Sequence, residues 1–331
     1  MQQRTLGNTG LRVTRLGLGL AALGRPGYIN LNHGEDLGHQ YSVEAMQEHA
    51  HTVLDAAWQA GVRYFDAARS YGLAEQFLST WLEQRAIDPA QVTVGSKWGY
   101  TYTAGWQVQA EVHEVKDLSL GVLQRQRAES EALLGGYLKL YQIHSATLES
   151  GVFENLEVLH RLAAYRQAGL AIGLTLSGPR QGETLERAMA IRLDGQPVFD
   201  CVQATWNLLE TSAGAALQAA HQAGMGVIVK EALANGRLTA RNTNPAFAPR
   251  RAVLETAAMQ LGGSLDAVSL AAVLAQPWAD VALSGAAAPE QLASNITALQ
   301  IAWQPAVAEA LDELRQPPQE YWAARSALPW I

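Results

Sequence analysis

VEAMQEHAHTVLDAAWQAGVRYFD, residues 43–66, changes its hydrophobic period at a single glycine. From Val43 to Ala60 the spacing is helical, with Val53, Ala57 and Ala60 on one face. Gly61 ends that pattern as a left-handed C-terminal cap would. Val62-Arg63-Tyr64-Phe65-Asp66 then reads as a strand. This helix–glycine–strand unit recurs along the chain. Before it, Leu16-Gly17-Leu18-Gly19 is a short apolar run between turn residues. After it come a helix from Ala74 to Gln84, a strand from Val92 to Lys97, a helix near Leu118 to Gly135 and a strand from Leu138 to His144. A helix from Phe153 to Ala168 is closed by Gly169, and Ala171 to Thr175 follows as a strand. The later units pair a helix near Gly182 to Ala190 with a strand from Asp200 to Thr205, and a helix from Gly214 to Ala223 with a strand from Gly226 to Lys230. Helices at Arg251 to Leu261 and Ala267 to Ala275, a strand from Ala279 to Ser284 and a helix from Pro289 to Leu299 close the series.

Eight strands, each followed by a helix, imply a parallel sheet with helices outside it. In 331 residues that count favours a closed (β/α)8 TIM barrel, expected as one domain over 1–331, over an open doubly wound sheet. Gly17, Gly19 and Gly24 lack the Gly-x-Gly-x-x-Gly spacing of a Rossmann turn. Leu6-Gly7-Asn8-Thr9-Gly10-Leu11 reads as an N-terminal β-hairpin at the barrel floor. Residues 24–41, rich in Gly, Asn and His, form a rim loop on the catalytic side, and the aromatic tail after Pro317 is expected to fold over the mouth.

Hydrophobic residues make up 48% of the chain and charged residues 17%, which suits a sizeable core and excludes disorder as the main state. The net charge of −7 opposes broad nucleic-acid or anionic-membrane binding. One cysteine, Cys201, excludes a disulfide framework and a cysteine-built zinc site. No signal-peptide pattern or membrane-length apolar run is read, so a cytoplasmic protein is expected, as a monomer because no exposed apolar stripe stands out.

Reacting groups of a barrel enzyme sit where strands run out into loops at the C-terminal face. Strand two ends in Asp66, with Tyr71 five residues on; strand three ends in Lys97 and strand four in His144. Each alone has an ordinary structural role: a helix cap, a rim packing residue, a solvated lysine, a core histidine. All four at matching strand ends point instead to one site. A tyrosine with a pKa near ~10 is a poor acid at neutral pH, and an adjacent ammonium lowers that value. A carboxylate fixes the lysine, and a histidine orients the substrate oxygen. Such a site protonates a developing alkoxide, so it needs a hydride donor, and a nicotinamide cofactor is the economical one. No metal is expected.

The chain resembles the aldo-keto reductase family over nearly its whole length. The resemblance rests on Leu6-Gly7-Asn8-Thr9-Gly10-Leu11-Arg12-Val13, on Gly61 to Gly72 (GVRYFDAARSYG), on Ser96-Lys97, on Leu140-Tyr141-Gln142-Ile143-His144, and on Gly285-Ala286 with Gln291 and Asn295. It implies a catalytic tetrad of Asp66, Tyr71, Lys97 and His144, and NADPH as the usual cofactor. It further implies that Gln203 binds the nicotinamide carboxamide. Thr175 and Leu176 stand where the family usually has Ser-Asn, with Ser177 as the compensating group. Lys230 stands where many relatives stack a tyrosine; it pairs with Glu231 or another carboxylate, or it faces the cofactor pyrophosphate. Ser284, Gly285, Ala286, Gln291 and Asn295 resemble the adenosine-binding stretch. That stretch has no basic residue of its own, while Arg237, Arg241, Arg250 and Arg251 lie in the preceding loop.

Aromatic residues after the strands predict a pocket walled by Trp98 and Trp206, with Trp58, Trp81 and Trp303 in the core and His113 on the rim. The expected function is reduction of aldehydes or ketones by NADPH, with NAD possible and Tyr71 as general acid. The alternatives are an NAD(P)-dependent sugar or alcohol dehydrogenase working oxidatively, and a low-turnover NADPH-binding redox-sensing module. A Schiff-base aldolase through Lys97 or Lys230 ranks last, because Asp66 beside Lys97 keeps that amine charged.

Overall fold

The computed structural model describes residues 1–331. Two antiparallel strands come first, β1 (Gln3–Thr5) and β2 (Arg12–Thr14), followed by β3 (Leu16–Gly19). A long loop carrying the one-turn helix α1 (His33–Asp36) leads to α2 (Val43–Gln59), β4 (Tyr64–Asp66) and α3 (Ala74–Gln84). Next, β5 (Thr93–Trp98) is followed by a rim hairpin, β6 (Tyr100–Tyr102) and β7 (Glu114–Lys116), and by α4 (Leu120–Leu134) and β8 (Leu138–Ala146). Then come α5 (Leu156–Gln167), β9 (Ala171–Leu176), α6 (Gln181–Met189) and a small hairpin, β10 (Arg192–Leu193) with β11 (Gln196–Pro197). The chain continues through β12 (Cys201–Thr205), α7 (Gly214–Gln222), β13 (Gly226–Lys230), α8 (Ala248–Leu261) and α9 (Leu265–Leu274). It finishes with β14 (Val281–Ser284), α10 (Pro289–Ile296), α11 (Pro305–Leu311) and α12 (Pro318–Ser326).

Strands β3, β4, β5, β8, β9, β12, β13 and β14 pair in chain order, all parallel, and β14 returns to β3 to close a barrel. The (β/α)8 expectation therefore holds, and the eight sequence-read strands are the eight barrel strands. Helix boundaries follow local chemistry. Ser42 caps α2 by accepting from Ala45 N at 3.1 Å. The fifth helix starts at Leu156, not Phe153, because the Asn155 side chain accepts from Val158 N at 3.2 Å.

The two-residue period of a strand sorts the core into two layers. Phe65, Val94, Tyr141, Ile143, Val202 and Val227 face the helices in the main cluster. Tyr64, Leu140, Cys201, Ile228 and Val281 face inward in a separate cluster, which Leu6 and Val13 complete from below. The N-terminal hairpin thus closes the floor, as the sequence suggested. Its connecting turn wedges tightly: Asn8 N donates to Gly224 O at 2.9 Å, and a Cβ on Gly7 would lie 2.3 Å from Gly226 N. At the opposite end the tail crosses the mouth, where Tyr28 and Ile331 exchange backbone hydrogen bonds of 3.1 and 3.2 Å. No single helix is long and apolar enough to cross a membrane.

Candidate active site at the barrel mouth

Asp66 ends β4 and faces inward, as do Lys97 on β5 and His144 on β8, so parallel register brings the three together. Lys97 Nζ donates to the Asp66 carboxylate and, at 2.9 Å, to Ala67 O; both side chains are buried. The other carboxylate oxygen of Asp66 accepts from Tyr64 OH and Gln203 Nε2, each at 3.0 Å, and from Gln142 Nε2 at 3.3 Å. Tyr71 comes in from the loop after β4. Its hydroxyl lies 3.5 Å from His144 Nε2, and its ring centroid lies 4.7 Å from Lys97 Nζ. Ser70 Oγ lies 3.3 Å from His144 Nδ1 and fixes the ring from behind.

The electrostatics depart from the sequence expectation at Tyr71. Burial, together with the Asp66 carboxylate, holds the phenol above its ordinary value, so the nearby ammonium does not turn it into a phenolate. Burial and then the cations Lys97, Lys230 and Arg25 push the His144 pKa well below the usual histidine range, so the imidazole is neutral. A protonated phenol and a neutral imidazole therefore converge over a charged lysine–aspartate pair.

These groups open into a cavity of about 530 Å³ that runs along the mouth. Asp66, Tyr71, His144, Ser177, Gln203 and Lys230 line one end, and Ser284, Gly285, Ala286, Gln291 and Asn295 line the other. Ser284 Oγ lies 2.8 Å from the Asn295 carboxamide, and Gln291 Oε1 accepts from Ala287 N at 2.9 Å. Pro289, which has no N–H, opens α10, and the cap residue Ala288 makes no side-chain hydrogen bond to the N–H groups of the first turn. Thr175 is not part of the lining: its hydroxyl accepts from Ser145 N at 2.7 Å and holds the end of β8 next to His144. Leu176 alternates outward into the helix-facing core, so Ser177 is the polar group that reaches the cavity at this strand end.

A protein-family model described as the Aldo/keto reductase family matches residues 15–316. The chain belongs to that family. Its relatives include the Bacillus subtilis oxidoreductases YqkF, 25% identical over 322 residues (90% of this chain and 91% of YqkF), and YrpG, 26% identical over 341 residues (95% and 96%). Pyridoxal 4-dehydrogenase of Microbacterium luteolum is 29% identical over 154 residues, 40% of each chain. Among solved structures, the holo form of the Bacillus halodurans aldo-keto reductase AKR11C1 shares the fold, with a TM-score of 0.72, 20% identity and coverage of 96% and 97%. A Pseudomonas aeruginosa chain described as a candidate aldo-keto reductase gives a TM-score of 0.63, 25% identity and coverage of 93% and 95%.

In this aldo-keto reductase, an oxidoreductase, the substrate end of the cavity is not the aromatic box the sequence suggested. Trp98 follows the inward Lys97 on the same strand, so alternation turns it outward into the core, fully buried. Trp206 likewise packs outward, 5.7 Å edge-to-face from Trp278. Neither tryptophan lines the cavity. Its walls are Arg25, Tyr28, Tyr100, Glu114, Arg325 and Trp330. Arg25 is nearly buried, donates to Ser70 O and Glu114 Oε2 at 3.0 Å each, and stacks 4.6 Å from the Trp330 ring. His113 stacks on the other part of this wall, with its ring 4.0 Å from Trp330. Arg25 and Glu114 carried no motif; only the position of Arg25 in the loop after β3 hinted at a rim role.

Lys230 takes the ion-pair arrangement. Its Nζ donates to Thr205 Oγ1 at 2.8 Å and lies 3.7 Å from Glu231 Oε1, while still lining the cavity. Burial would raise the Glu231 pKa, but Arg325, bound to both its carboxylate oxygens at 2.9 and 3.0 Å, and Lys230 hold it down at about 2. Burial lowers Lys230 to about 8, from the ordinary 10.5, despite Glu231. The unfolded chain thus holds a proton that the folded chain has released, and this group makes folding more favourable as pH rises between those values. Wild type should therefore gain stability relative to Lys230→Met from about pH 7 to about pH 10. Urea midpoints of both proteins across that range check this; a difference independent of pH contradicts it.

Proposed function

We propose that this oxidoreductase reduces a small aldehyde or ketone to its alcohol with a reduced nicotinamide dinucleotide, Tyr71 giving the proton. The observation that carries the reading is Tyr71 itself. Its phenol is kept protonated, it shares a hydrogen-bonding distance with neutral His144, and it sits above Lys97 at the head of a long polar cavity. The cavity suits such a cofactor. Gln203 and Ser177 present amide and hydroxyl groups near the tetrad, Gly285 has no neighbour within 4 Å of where a Cβ would stand, and α10 offers unfilled N–H groups for phosphate. When bound, the nicotinamide supplies the hydride that reaches the carbonyl carbon.

Each tetrad member has a distinct task in this reading. His144 and the Tyr71 hydroxyl together hold the carbonyl oxygen. Tyr71 releases its proton to that oxygen as negative charge grows there. The Lys97 ammonium, anchored by Asp66 and Ala67 O, stabilises the phenolate left on Tyr71. Gln142, Gln203 and Tyr64 hold Asp66 in place. The wall of Arg25, Glu114, Tyr28 and Trp330 joins charged donors and acceptors to flat aromatic faces. That favours a carbonyl compound carrying hydroxyl or other hydrogen-bonding groups over a plain hydrocarbon aldehyde. NADPH is the form the family resemblance implies.

The test is turnover of purified protein with reduced cofactor and a panel of plain and hydroxylated aldehydes and ketones, followed by loss of reduced-nicotinamide absorbance. Turnover, fastest with hydroxylated members, is expected. No turnover across the panel while the cofactor binds tightly contradicts the reading and favours the sensing module.

A further inference from the structure

We propose that the cavity takes a dinucleotide without a 2′-phosphate, NAD(H) in preference to NADP(H). This rests on the reading above that the cavity holds a nicotinamide dinucleotide, and concerns its far end only. There GAAAPEQLASN, residues 285–295, supplies no basic side chain. Of Arg237 and Arg241 in the loop after β13, and Arg250 and Arg251 at the start of α8, only Arg241 lines the cavity. The Arg237 guanidinium lies over the Tyr321 ring at 4.3 Å and donates to Ala234 O, and Arg251 donates to Ala240 O.

Arg241 is already committed. Its guanidinium grips the Asp36 carboxylate with two bonds, Nη1 to Oδ2 at 2.7 Å and Nη2 to Oδ1 at 2.5 Å, and Nη1 also lies 3.3 Å from Leu31 O. Gln291 Nε2 donates to the same carboxylate at 2.7 Å. The Asp36 side chain is only 3% exposed, so taking Arg241 away for a phosphate would strand a nearly buried charge. Asp266 and Glu290 also line this end, so one cation stands among three carboxylates. With its carboxamide oxygen accepting from Ser284 Oγ, the Asn295 nitrogen reaches Asp266 Oδ2 at 2.9 Å.

A 2′-phosphate brings close to two negative charges at neutral pH into that field. A ribose with a free 2′-hydroxyl brings a neutral donor, which carboxylates accept well. The three segments that meet here follow β13, β14 and β3, which are neighbouring strands of the barrel although far apart in sequence. The Asp36–Arg241 pair, with Leu31 N donating to Asn235 O at 3.2 Å, ties the loop after β3 to the loop after β13, and Gln291 ties both to α10.

Equilibrium titration of the purified protein with NADH and with NADPH, read by protein fluorescence and by calorimetry, tests this without requiring turnover. NADH should bind about tenfold tighter or more. Asp36→Asn frees the Arg241 charge and should move the NADH/NADPH affinity ratio about tenfold towards NADPH. Glu290→Arg, at an exposed position, should move it the same way without touching the Asp36 latch. Tighter binding of NADPH by wild type overturns the proposal, as does a ratio that neither variant moves. Binding of neither dinucleotide overturns instead the cofactor reading on which it rests.

Discussion

Tyr71→Phe should lower turnover by about 10²–10⁴-fold, the usual worth of a general acid. The ring stays, so the contact with Lys97 and the packing against His144, with ring centroids 5.4 Å apart, should survive. Only the hydroxyl that lies 3.5 Å from His144 Nε2 is lost. Cofactor affinity should stay within a few-fold of wild type. Single-turnover rates, with cofactor affinity titrated in parallel, give the answer. Turnover that persists in the variant would place proton donation elsewhere. Because burial and Asp66 keep the phenol protonated, the wild-type reduction rate should not depend on ionisation of free Tyr71 near neutral pH.

Lys97→Met should cost stability as well as turnover. Removing one partner of a buried ion pair typically costs about 3–5 kcal/mol, because the other charge is left uncompensated. Both side chains are almost wholly buried here. Asp66 would keep its bonds from Tyr64, Gln142 and Gln203, which places the loss towards the lower part of that range. Adding Asp66→Asn should restore part of the stability, since no unpaired charge then remains, while restoring no activity. Urea denaturation of the single and double variants checks the first point and turnover the second. A double variant less stable than Lys97→Met alone would mean that Asp66 matters for its hydrogen bonds more than for its charge.

Much of this architecture is local and therefore legible. Gly61 and Gly169, at φ of +90° and +97°, mark where helices end, and the strand that follows each ends in or leads to the mouth. The inward face of Asp66, Lys97 and His144 follows from their places at strand ends. The same rule read one residue further turns Trp98 away from the cavity, since neighbours on a strand face opposite sides. The proximity of Trp98 to Lys97 in sequence therefore suggested a wall that alternation forbids. Trp206 lies past the end of β12, where its direction is set by contact with Trp278, 72 residues on. The Tyr71 phenol was expected to respond to Lys97, yet burial and then the Asp66 carboxylate decide its state. The Arg241–Asp36 pair joins residues 205 apart. No local pattern announces that the one suitable cation in the loop after β13 is spoken for.

In the proposed reaction, hydride reaches a carbonyl carbon held at the barrel mouth by Tyr71 and His144. The most direct measurement uses reduced cofactor deuterated at the reactive ring carbon, with a hydroxylated aldehyde, and reads deuterium in the product. One deuterium is expected on the former carbonyl carbon, transferred on one face only, with a transfer rate that collapses in Tyr71→Phe. Product free of deuterium, or equal transfer in the variant, would contradict the proposed reaction.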